Sequence, residues 1–269
     1  MADERPDRAV EPDPAGGAAA DGPDVSIVIP FQDERENLAP LRDELTAMMS
    51  ATPTARFEVI LVDDGSTDGG AATAEDLCRE DARFALLRHG RHRGKSAALL
   101  TGFAAARAPV VAVLDADLQN PPAEIPRLLA ELERGGWDAV LGVRAKRRDP
   151  WRVRAASRIA NRARRWVLGD EALDVGCALM CFRRELAENL PRFEGLHRFL
   201  PAFWRAGGAR ITQVGVAHRP RTRGESKYTV RGRAWRGLVD LFGVRWLLAR
   251  SVGDGERRSG ATSYEERDR

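Results

Sequence analysis

Short apolar runs rich in β-branched residues recur along this chain of 269 residues, and each run is separated from the next by a helix-like segment. The runs cover 25–30, 57–62, 83–87, 110–114 and 138–143, and the segments between them predict helices at 36–49, 67–79, 94–106 and 122–134. Strands that alternate with helices in this way form βαβ units. Because such units cross over in the right-handed sense, we expect an α/β fold with a mostly parallel sheet and helices on both faces.

Two carboxylates follow the fourth apolar run directly. Asp115 and Asp117 stand at its end, and Pro121 and Pro122 then open a new segment. Open α/β sheets bind ligands at the carboxyl ends of their strands. Alternate residues of an extended backbone point the same way, so both carboxylates can face one site. Hard oxygen ligands suit Mg²⁺ or Mn²⁺ that carries a phosphorylated substrate. The alternative is a helix-capping aspartate beside a solvated one.

The segment 90–96, GRHRGKS, resembles a phosphate-binding P-loop but does not fit one. A P-loop has four residues between its glycines, whereas three residues separate Gly90 from Gly94. Arg88 and His89 also stand between the preceding strand and the first glycine. Lys95 keeps two interpretations: it contacts a phosphate, or it is a solvated lysine at the start of a helix.

Composition excludes several classes of protein. There is no run of about 18 consecutive apolar residues of the kind that spans a bilayer. The three cysteines (Cys78, Cys177 and Cys181) are an odd number without metal-ligand spacing, which indicates a reducing cytosol rather than a disulfide framework. Residues 1–24 carry seven carboxylates against two arginines, and we expect this tail and the charged tail 251–269 to be disordered.

Positive charge is concentrated in two blocks, although the formal net charge is only +3. Residues 144–165 carry ten Lys/Arg against one Asp, and residues 219–250 carry nine against two acidic residues. Such blocks are typical of a protein with a polyanionic partner, or simply of solvated faces. Aromatic residues make up only 6% of the chain and no recognition motif is present, so we do not expect nucleic acid to be the partner.

Five motifs occur in a fixed order: VSIVIPFQDERENL from residue 25, FEVILVDDGSTDG from 57, RGKSAALLTGF from 93, VLDADLQNPP from 113, and Gly142-x-Arg144. In this order they resemble the inverting glycosyltransferases of family 2 with the Rossmann-like GT-A fold. Residues 157–182 and the segment HRPRTRGESKY at 218–228 are similar to the polyprenyl-phosphate branch, which includes dolichol-phosphate mannose synthase. The resemblance covers about residues 24–250 and implies a GT-A domain over 25–229.

The resemblance also implies roles for matching positions. The nucleotide base and ribose would be held by Pro30, Gln32, Glu34, Val62 and Asp64. The metal and diphosphate site would be formed by Asp115, Ala116, Asp117 and Gln119, of which Asp115, Asp117 and Gln119 would ligate Mg²⁺ or Mn²⁺. The donor diphosphate and the acceptor phosphate would be neutralised by Arg144, Arg221 and Lys227.

The acceptor side departs from the family pattern at one position. Ser157, with Arg221, resembles part of the acceptor-phosphate pocket, and the family has an arginine four residues before the serine. Here that position is Val153, flanked by Arg152 and Arg154, and either arginine can serve. Asp174 matches an acidic position at the edge of the site, where it positions the acceptor or holds a loop. The catalytic residues implied by the resemblance are Asp117, Arg144 and Asp174.

Residues 230–250 mix Trp, Phe and Leu side chains with five arginines. This pattern is typical of a helix that lies in the interface of an anionic membrane. An amphipathic helix that packs on the sheet has the same pattern, so the two interpretations remain open.

The predicted function is metal-dependent, inverting transfer of a sugar from a nucleotide-diphosphate sugar to polyprenyl phosphate, either dolichyl or undecaprenyl. We expect a peripheral enzyme at the cytosolic membrane face, held by anionic lipid or by a separate membrane-anchoring subunit. A phosphate acceptor is already an anionic nucleophile, so proximity and charge neutralisation supply most of the rate. One alternative is transfer to a sugar hydroxyl, for which Asp174 is the candidate base. Another is a non-catalytic subunit that binds nucleotide-sugar within a membrane complex.

Overall fold

The computed structural model describes residues 22–144, 162, 164–169, 172–220 and 230–250, with the backbone alone at 230–236 and 238. The two tails that we expect to be disordered lie outside the described residues, apart from 22–24. Most of the first basic block and the segment 221–229 also lie outside them.

In the part of the chain that the structure describes, seven strands form one sheet. They are β1 (Val25–Phe31), β2 (Phe57–Asp63), β3 (Phe84–Arg88), β4 (Val110–Val113), β5 (Ala139–Arg144), β6 (Met180–Arg183) and β7 (Ile211–Val216). Their order is β3-β2-β1-β4-β6-β5-β7, and every pairing is parallel except those of β6, which runs antiparallel to β4 and to β5. The five predicted strands and the mostly parallel sheet are therefore confirmed, whereas β6 and β7 were not predicted.

Helices lie between strands in the chain order, and a further helix follows the last strand of the described residues. They are α1 (Arg35–Ala51), α2 (Gly70–Glu80), α3 (Lys95–Ala105), α4 (Ile125–Arg134), α5 (Leu200–Ala206) and α6 (Val230–Arg250). A short 3-10 turn at Pro122–Glu124 precedes α4, which agrees with a proline-initiated helix at this point. The four helices predicted between the strands lie within a few residues of α1 to α4.

The sheet has a hydrophobic core on each face, because successive side chains of a strand point to opposite faces. On one face Ile27 and Ile29 pack with residues of α1, α2 and α4. On the other face Val28 and Ile60 pack with residues of α3 and α5. Helices therefore cover both faces of the sheet, as predicted.

The strand order positions the candidate site. Strand β1 lies between β2 and β4 and is parallel to both, so the carboxyl ends of the three strands meet at one edge. The chain moves from β1 to β2 on one side and returns to β4 on the other. Such a reversal of strand order opens a crevice in which α/β sheets bind their ligands. The segments that begin at Gln32, Asp64 and Asp115 all start at this edge.

The helix α6 packs on the domain along one apolar stripe. Leu241 and Val244 form a third, smaller core with Val167 and Phe199, and Leu248 packs against it. The helix therefore packs on residues outside the sheet, not on the sheet itself as the core-helix interpretation had it, and its opposite side faces solvent. Among the helices of the described part of the chain, none combines the length and the apolarity needed to cross a bilayer.

Candidate active site

The two aspartates after β4 lie on either side of a buried alanine. Ala116 is 3% exposed and belongs to a core cluster, whereas Asp115 and Asp117 are half-buried. The extended backbone assumed for this segment is wrong, since a turn includes residues 116 and 117. Leu118 adopts a left-handed conformation with φ 61°, and Asp117 Oδ1 accepts the Gln119 N–H at 3.1 Å. This side-chain bond to the backbone two residues on is the contact that stabilises an Asx turn.

Gln119 joins the β4 turn to the segment that follows β7. Its carbonyl accepts the Arg219 N–H at 2.8 Å, and its side-chain amide lies 3.5 Å from the Arg219 carbonyl. The neighbouring Asn120 is buried, and its Oδ1 lies 3.4 Å from His218 Nδ1. These contacts bring the chain that leads to Arg221 against the predicted metal ligands.

Lys95 pairs with the first of the two aspartates. Its Nζ lies 2.5 Å from Asp115 Oδ1, and the two side chains are 31% and 28% exposed. The lysine is the first residue of α3, and Gly94 before it has φ 90°, a conformation that favours glycine. Lys95 is thus a partly exposed, ion-paired lysine at the start of a helix, and its contact with a phosphate stays a prediction.

The predicted nucleotide-binding residues lie at the ends of β1 and β2. Pro30 and Val62 are buried within the sheet, and Val62 belongs to the core beneath α3. Gln32 and Glu34 are half-buried in the loop after β1, where Glu34 Oε2 accepts a bond from the Asn37 side chain at 2.6 Å. Their roles toward a nucleotide stay predictions.

Asp64 holds the loop before α3. Its carboxylate accepts the backbone N–H groups of Arg93 at 2.9 Å and Gly94 at 2.8 Å. The Nδ1 atoms of His89 and His92 each lie 2.7 Å from the same carboxylate. Asp64 is only 3% exposed, so its carboxylate orders this loop from within the protein, and its role toward a nucleotide stays a prediction. The bonds between Asp64 and this loop were not predicted. The sequence feature that could have indicated them is the pair of histidines, His89 and His92, in the loop.

Arg144 and Asp174 form a bidentate ion pair. Arg144 Nε and Nη2 each donate to a different oxygen of Asp174 at 2.7 Å. The Gly176 N–H also donates to Asp174 Oδ1, at 3.2 Å, and the aspartate side chain is only 4% exposed. Sequence reasoning placed both residues at the site but did not pair them. Arg152, Arg154, Ser157, Arg221 and Lys227 lie outside the described residues, so the acceptor pocket stays a prediction.

The carboxylates of Asp115 and Asp117 and the amide oxygen of Gln119 are hard oxygen donors, which fit Mg²⁺ or Mn²⁺. Within the described ranges there is no group of three or more His, Cys, Asp or Glu residues that could hold a metal ion. The chemistry of the three side chains suits such a metal, and their role as its ligands stays a prediction.

Residues 26–190, more than half of the chain, match the model of the family described as Glycosyl transferase family 2. The chain belongs to glycosyl transferase family 2. The family resemblance inferred from the five motifs is thus confirmed, and it makes the chain a glycosyltransferase.

Two curated relatives of this glycosyltransferase are enzymes whose names include a polyprenyl phosphate. It is 35% identical over 230 residues to dodecaprenyl-phosphate galacturonate synthase of Rhizobium johnstonii, over 84% of this chain and 67% of that protein. It is 36% identical over 225 residues to undecaprenyl-phosphate 4-deoxy-4-formamido-L-arabinose transferase of Aeromonas hydrophila, over 83% of this chain and 66% of that protein. The chain spans about two thirds of the length of these relatives.

Solved structures establish the fold of this glycosyltransferase. Glucosyl-3-phosphoglycerate synthase from Mycobacterium tuberculosis, in complex with Mn²⁺, UDP and glucosyl-3-phosphoglycerate, superimposes with a TM-score of 0.64 at 24% identity. The match covers 83% of this chain and 80% of that one. The same enzyme with Mg²⁺ and UDP gives a TM-score of 0.63 at 22% identity, over 83% of this chain and 79% of that one. The predicted GT-A fold is therefore confirmed.

Proposed function

We propose that this glycosyltransferase transfers a sugar from a nucleotide-diphosphate sugar to polyprenyl phosphate at the cytosolic face of a membrane, with Mg²⁺ or Mn²⁺ as cofactor. The names of the curated relatives support a polyprenyl phosphate as the lipid substrate. The solved relative that contains UDP with Mn²⁺ or Mg²⁺ supports the donor class and the metal.

The donor end of the reaction uses the edge at which β1, β2 and β4 meet. Asp115, Asp117 and Gln119 would hold the metal, which when bound supplies positive charge to the leaving diphosphate. The chain's own residues orient the donor: the Asp64-anchored loop fixes the start of α3, and the bonds from Gln119 fix the segment after β7. A site that is fixed before the reaction stabilises developing charge without reorganising.

The Arg144–Asp174 pair is the observation that carries the choice of acceptor. A hydroxyl acceptor needs a base to take its proton, and Asp174 is the residue that the sequence offers for that role. Both Asp174 oxygens accept charge-assisted bonds from Arg144, and the carboxylate is nearly buried. A carboxylate held in this way positions the guanidinium. A lipid phosphate is already anionic and needs no base, so this arrangement favours the phosphate over the hydroxyl.

The acceptor class is tested by a transfer assay with purified full-length protein. UDP- and GDP-sugars are incubated with Mg²⁺ or Mn²⁺ and either undecaprenyl phosphate, dolichyl phosphate or the matching polyprenols that lack phosphate. We expect a glycolipid product from a phosphate acceptor and none from the alcohols. Product from the polyprenols but not from the phosphates, or the same product without any acceptor, would refute the proposal.

The metal is tested in the same assay with Asp117→Asn. Loss of one preorganised charge contact lowers turnover by about a hundredfold or more. Glu133→Gln, which removes an exposed carboxylate on α4, is the matched control and should leave turnover unchanged. Full activity of wild type in excess EDTA, or of Asp117→Asn with metal, would show that the metal step is wrong.

A further inference from the structure

The Lys95–Asp115 ion pair joins a lysine to a carboxylate that the proposed function assigns to the metal. Lys95 Nζ and Asp115 Oδ1 lie 2.5 Å apart, so the ammonium donates a charge-assisted hydrogen bond to the carboxylate. A cation at the first position of a helix is disfavoured by the helix dipole. The Lys95 ammonium therefore depends on an anion, and in this structure that anion is Asp115.

The backbone around Lys95 is fixed on both sides. Asp64 accepts the N–H groups of the two residues before it. Ser96 after it is buried, and its hydroxyl bonds to Gly195 and His197 in a turn about 100 positions later. The main chain of Lys95 is thus held, whereas its side chain, with four carbons between backbone and ammonium, can swing to a second anion nearby.

A carboxylate oxygen that is bound to an ammonium at this distance is not free to ligate a divalent cation. Two cations on neighbouring oxygens of Asp115 would also repel each other across a few ångströms at a half-buried position. The Lys95 ammonium and a divalent cation therefore compete for the same carboxylate.

We propose that Lys95 is a positioning residue that makes metal binding conditional on the donor. While Lys95 pairs with Asp115, a divalent cation alone binds weakly. The diphosphate of the donor offers the ammonium another anion, and this frees Asp115 for the metal, so that diphosphate and metal favour each other's binding. No covalent bond changes in this step. The inference rests on the proposed function, since it assigns Asp115 to a metal that is shared with a diphosphate.

Metal binding itself, rather than turnover, tests this inference. Binding of Mn²⁺ to the full chain is measured without nucleotide, with UDP, and with inorganic pyrophosphate, as the loss of the free-ion EPR signal beyond the loss that UDP or pyrophosphate causes in the absence of protein. Lys95→Met removes the competitor, so we expect Mn²⁺ alone to bind about tenfold more tightly than to wild type. UDP should tighten Mn²⁺ binding to wild type clearly, and to Lys95→Met much less.

Further variants separate competition between Lys95 and the metal for Asp115 from a general loss of positive charge near the site. Arg93→Met removes a positive charge from an exposed side chain two residues away, so the affinity for Mn²⁺ alone should stay close to that of wild type. Lys95→Arg keeps the ion pair and should keep the weak binding of Mn²⁺ alone. Lys95→Gln is measured beside Lys95→Met, and thermal unfolding checks that each variant is folded.

The outcomes distinguish this inference from the proposed function. Equal affinity of wild type and Lys95→Met for Mn²⁺ alone, with UDP still promoting Mn²⁺ binding to both, would overturn the role of Lys95 and leave the proposed function intact. An equal gain in Arg93→Met and Lys95→Met would also overturn it, because long-range charge would then be the cause. Failure of wild type to bind Mn²⁺ with any nucleotide would refute the proposed metal site itself.

Discussion

At the scale of single residues, a buried serine and a histidine meet beside the candidate site although 101 positions separate them. Ser96 Oγ accepts the N–H groups of Gly195 at 3.0 Å and of His197 at 3.4 Å. Its own proton is therefore left to donate to His197 Nδ1 at 2.9 Å, which requires a neutral imidazole. Burial, with the nearby charges of Lys95 and Arg198, lowers the pKa of His197 to about 3.

The lowered pKa of His197 makes the free energy of unfolding depend on pH. Between its ordinary pKa of 6.5 and about 3, His197 takes up a proton only in the unfolded chain. Proton uptake then favours unfolding, so the free energy of unfolding falls as the pH drops through this window. His197→Asn should reduce that fall by about 1 kcal/mol per pH unit, measured by urea unfolding from pH 6.5 to 4. An NMR titration that shows His197 protonating near pH 6.5 in the folded protein would contradict this.

At the scale of elements, helix α3 packs unusually close to the sheet at one glycine, Gly102. A Cβ on Gly102 would lie 2.3 Å from Val28 Cγ1 and 3.3 Å from Val62 Cγ2, both in the core beneath the helix. Only a residue without a side chain allows this approach. Because Lys95 and Ser96 begin the same helix, the close approach at Gly102 also sets how far the start of α3 lies from the sheet at the edge of the site.

Gly102→Ala should therefore destabilise the protein. Overpacking of a close-packed core costs about 1–3 kcal/mol, which a lower urea midpoint with an unchanged slope would reveal. Gly243→Ala is the matched control, since no atom lies within 4 Å of its Cβ in α6. Alanine there should be neutral or stabilise by up to about 1 kcal/mol through helix propensity. Equal effects of the two substitutions would show that α3 does not depend on this close contact.

At the scale of the whole molecule, α6 has apolar residues on two opposite sides. Leu241, Val244 and Leu248 pack on the domain. The other stripe follows the same spacing, and its side chains are exposed: Val239 by 55%, Phe242 by 63% and Trp246 by 61%. Packing on the domain and the interfacial interpretation of residues 230–250 are therefore compatible, because each uses a different side of one helix.

The outer side of α6 has the chemistry of a membrane interface. The Arg250 guanidinium lies 5.5 Å from the centre of the Trp246 ring. Trp166, which precedes the α6-packed Val167, is 86% exposed. Exposed tryptophans with arginines are typical of segments that bind anionic lipid reversibly. This face agrees with the proposed lipid substrate, which lies in a membrane.

We expect the full chain to bind vesicles that contain anionic lipid better than neutral ones at low salt, with binding weakened as salt is raised. In a co-sedimentation assay, Phe242→Ala with Trp246→Ala should lower the bound fraction several-fold, while Arg134→Ala on α4 should not. Equal binding to anionic and neutral vesicles would show that α6 does not act in this way. A separate membrane-anchoring subunit would then be the remaining candidate for attachment.

The amino-acid sequence alone was enough to predict the first five strands of the sheet and the edge at which the candidate site lies. β-Branched runs and helical periodicity are local signals, so β1 to β5 and α1 to α4 could be predicted within a few residues. The carboxylates after β4 could be placed because the carboxyl ends of parallel strands meet at one edge. Strand β6 escaped prediction because it runs antiparallel to β4 and β5 and so does not continue the strand–helix alternation of the first five strands.

Only the tertiary structure decided which polar groups pair. Asp64 bonds to a loop about 30 positions later, Arg144 to Asp174, and Lys95 to Asp115. Nothing local selects these partners, because each pairing exists only once the sheet order has brought separate loops to one edge. The same holds for the two sides of α6. Its sequence is apolar on both, and the docking of Leu241 and Val244 against Val167 and Phe199 decides which side faces solvent.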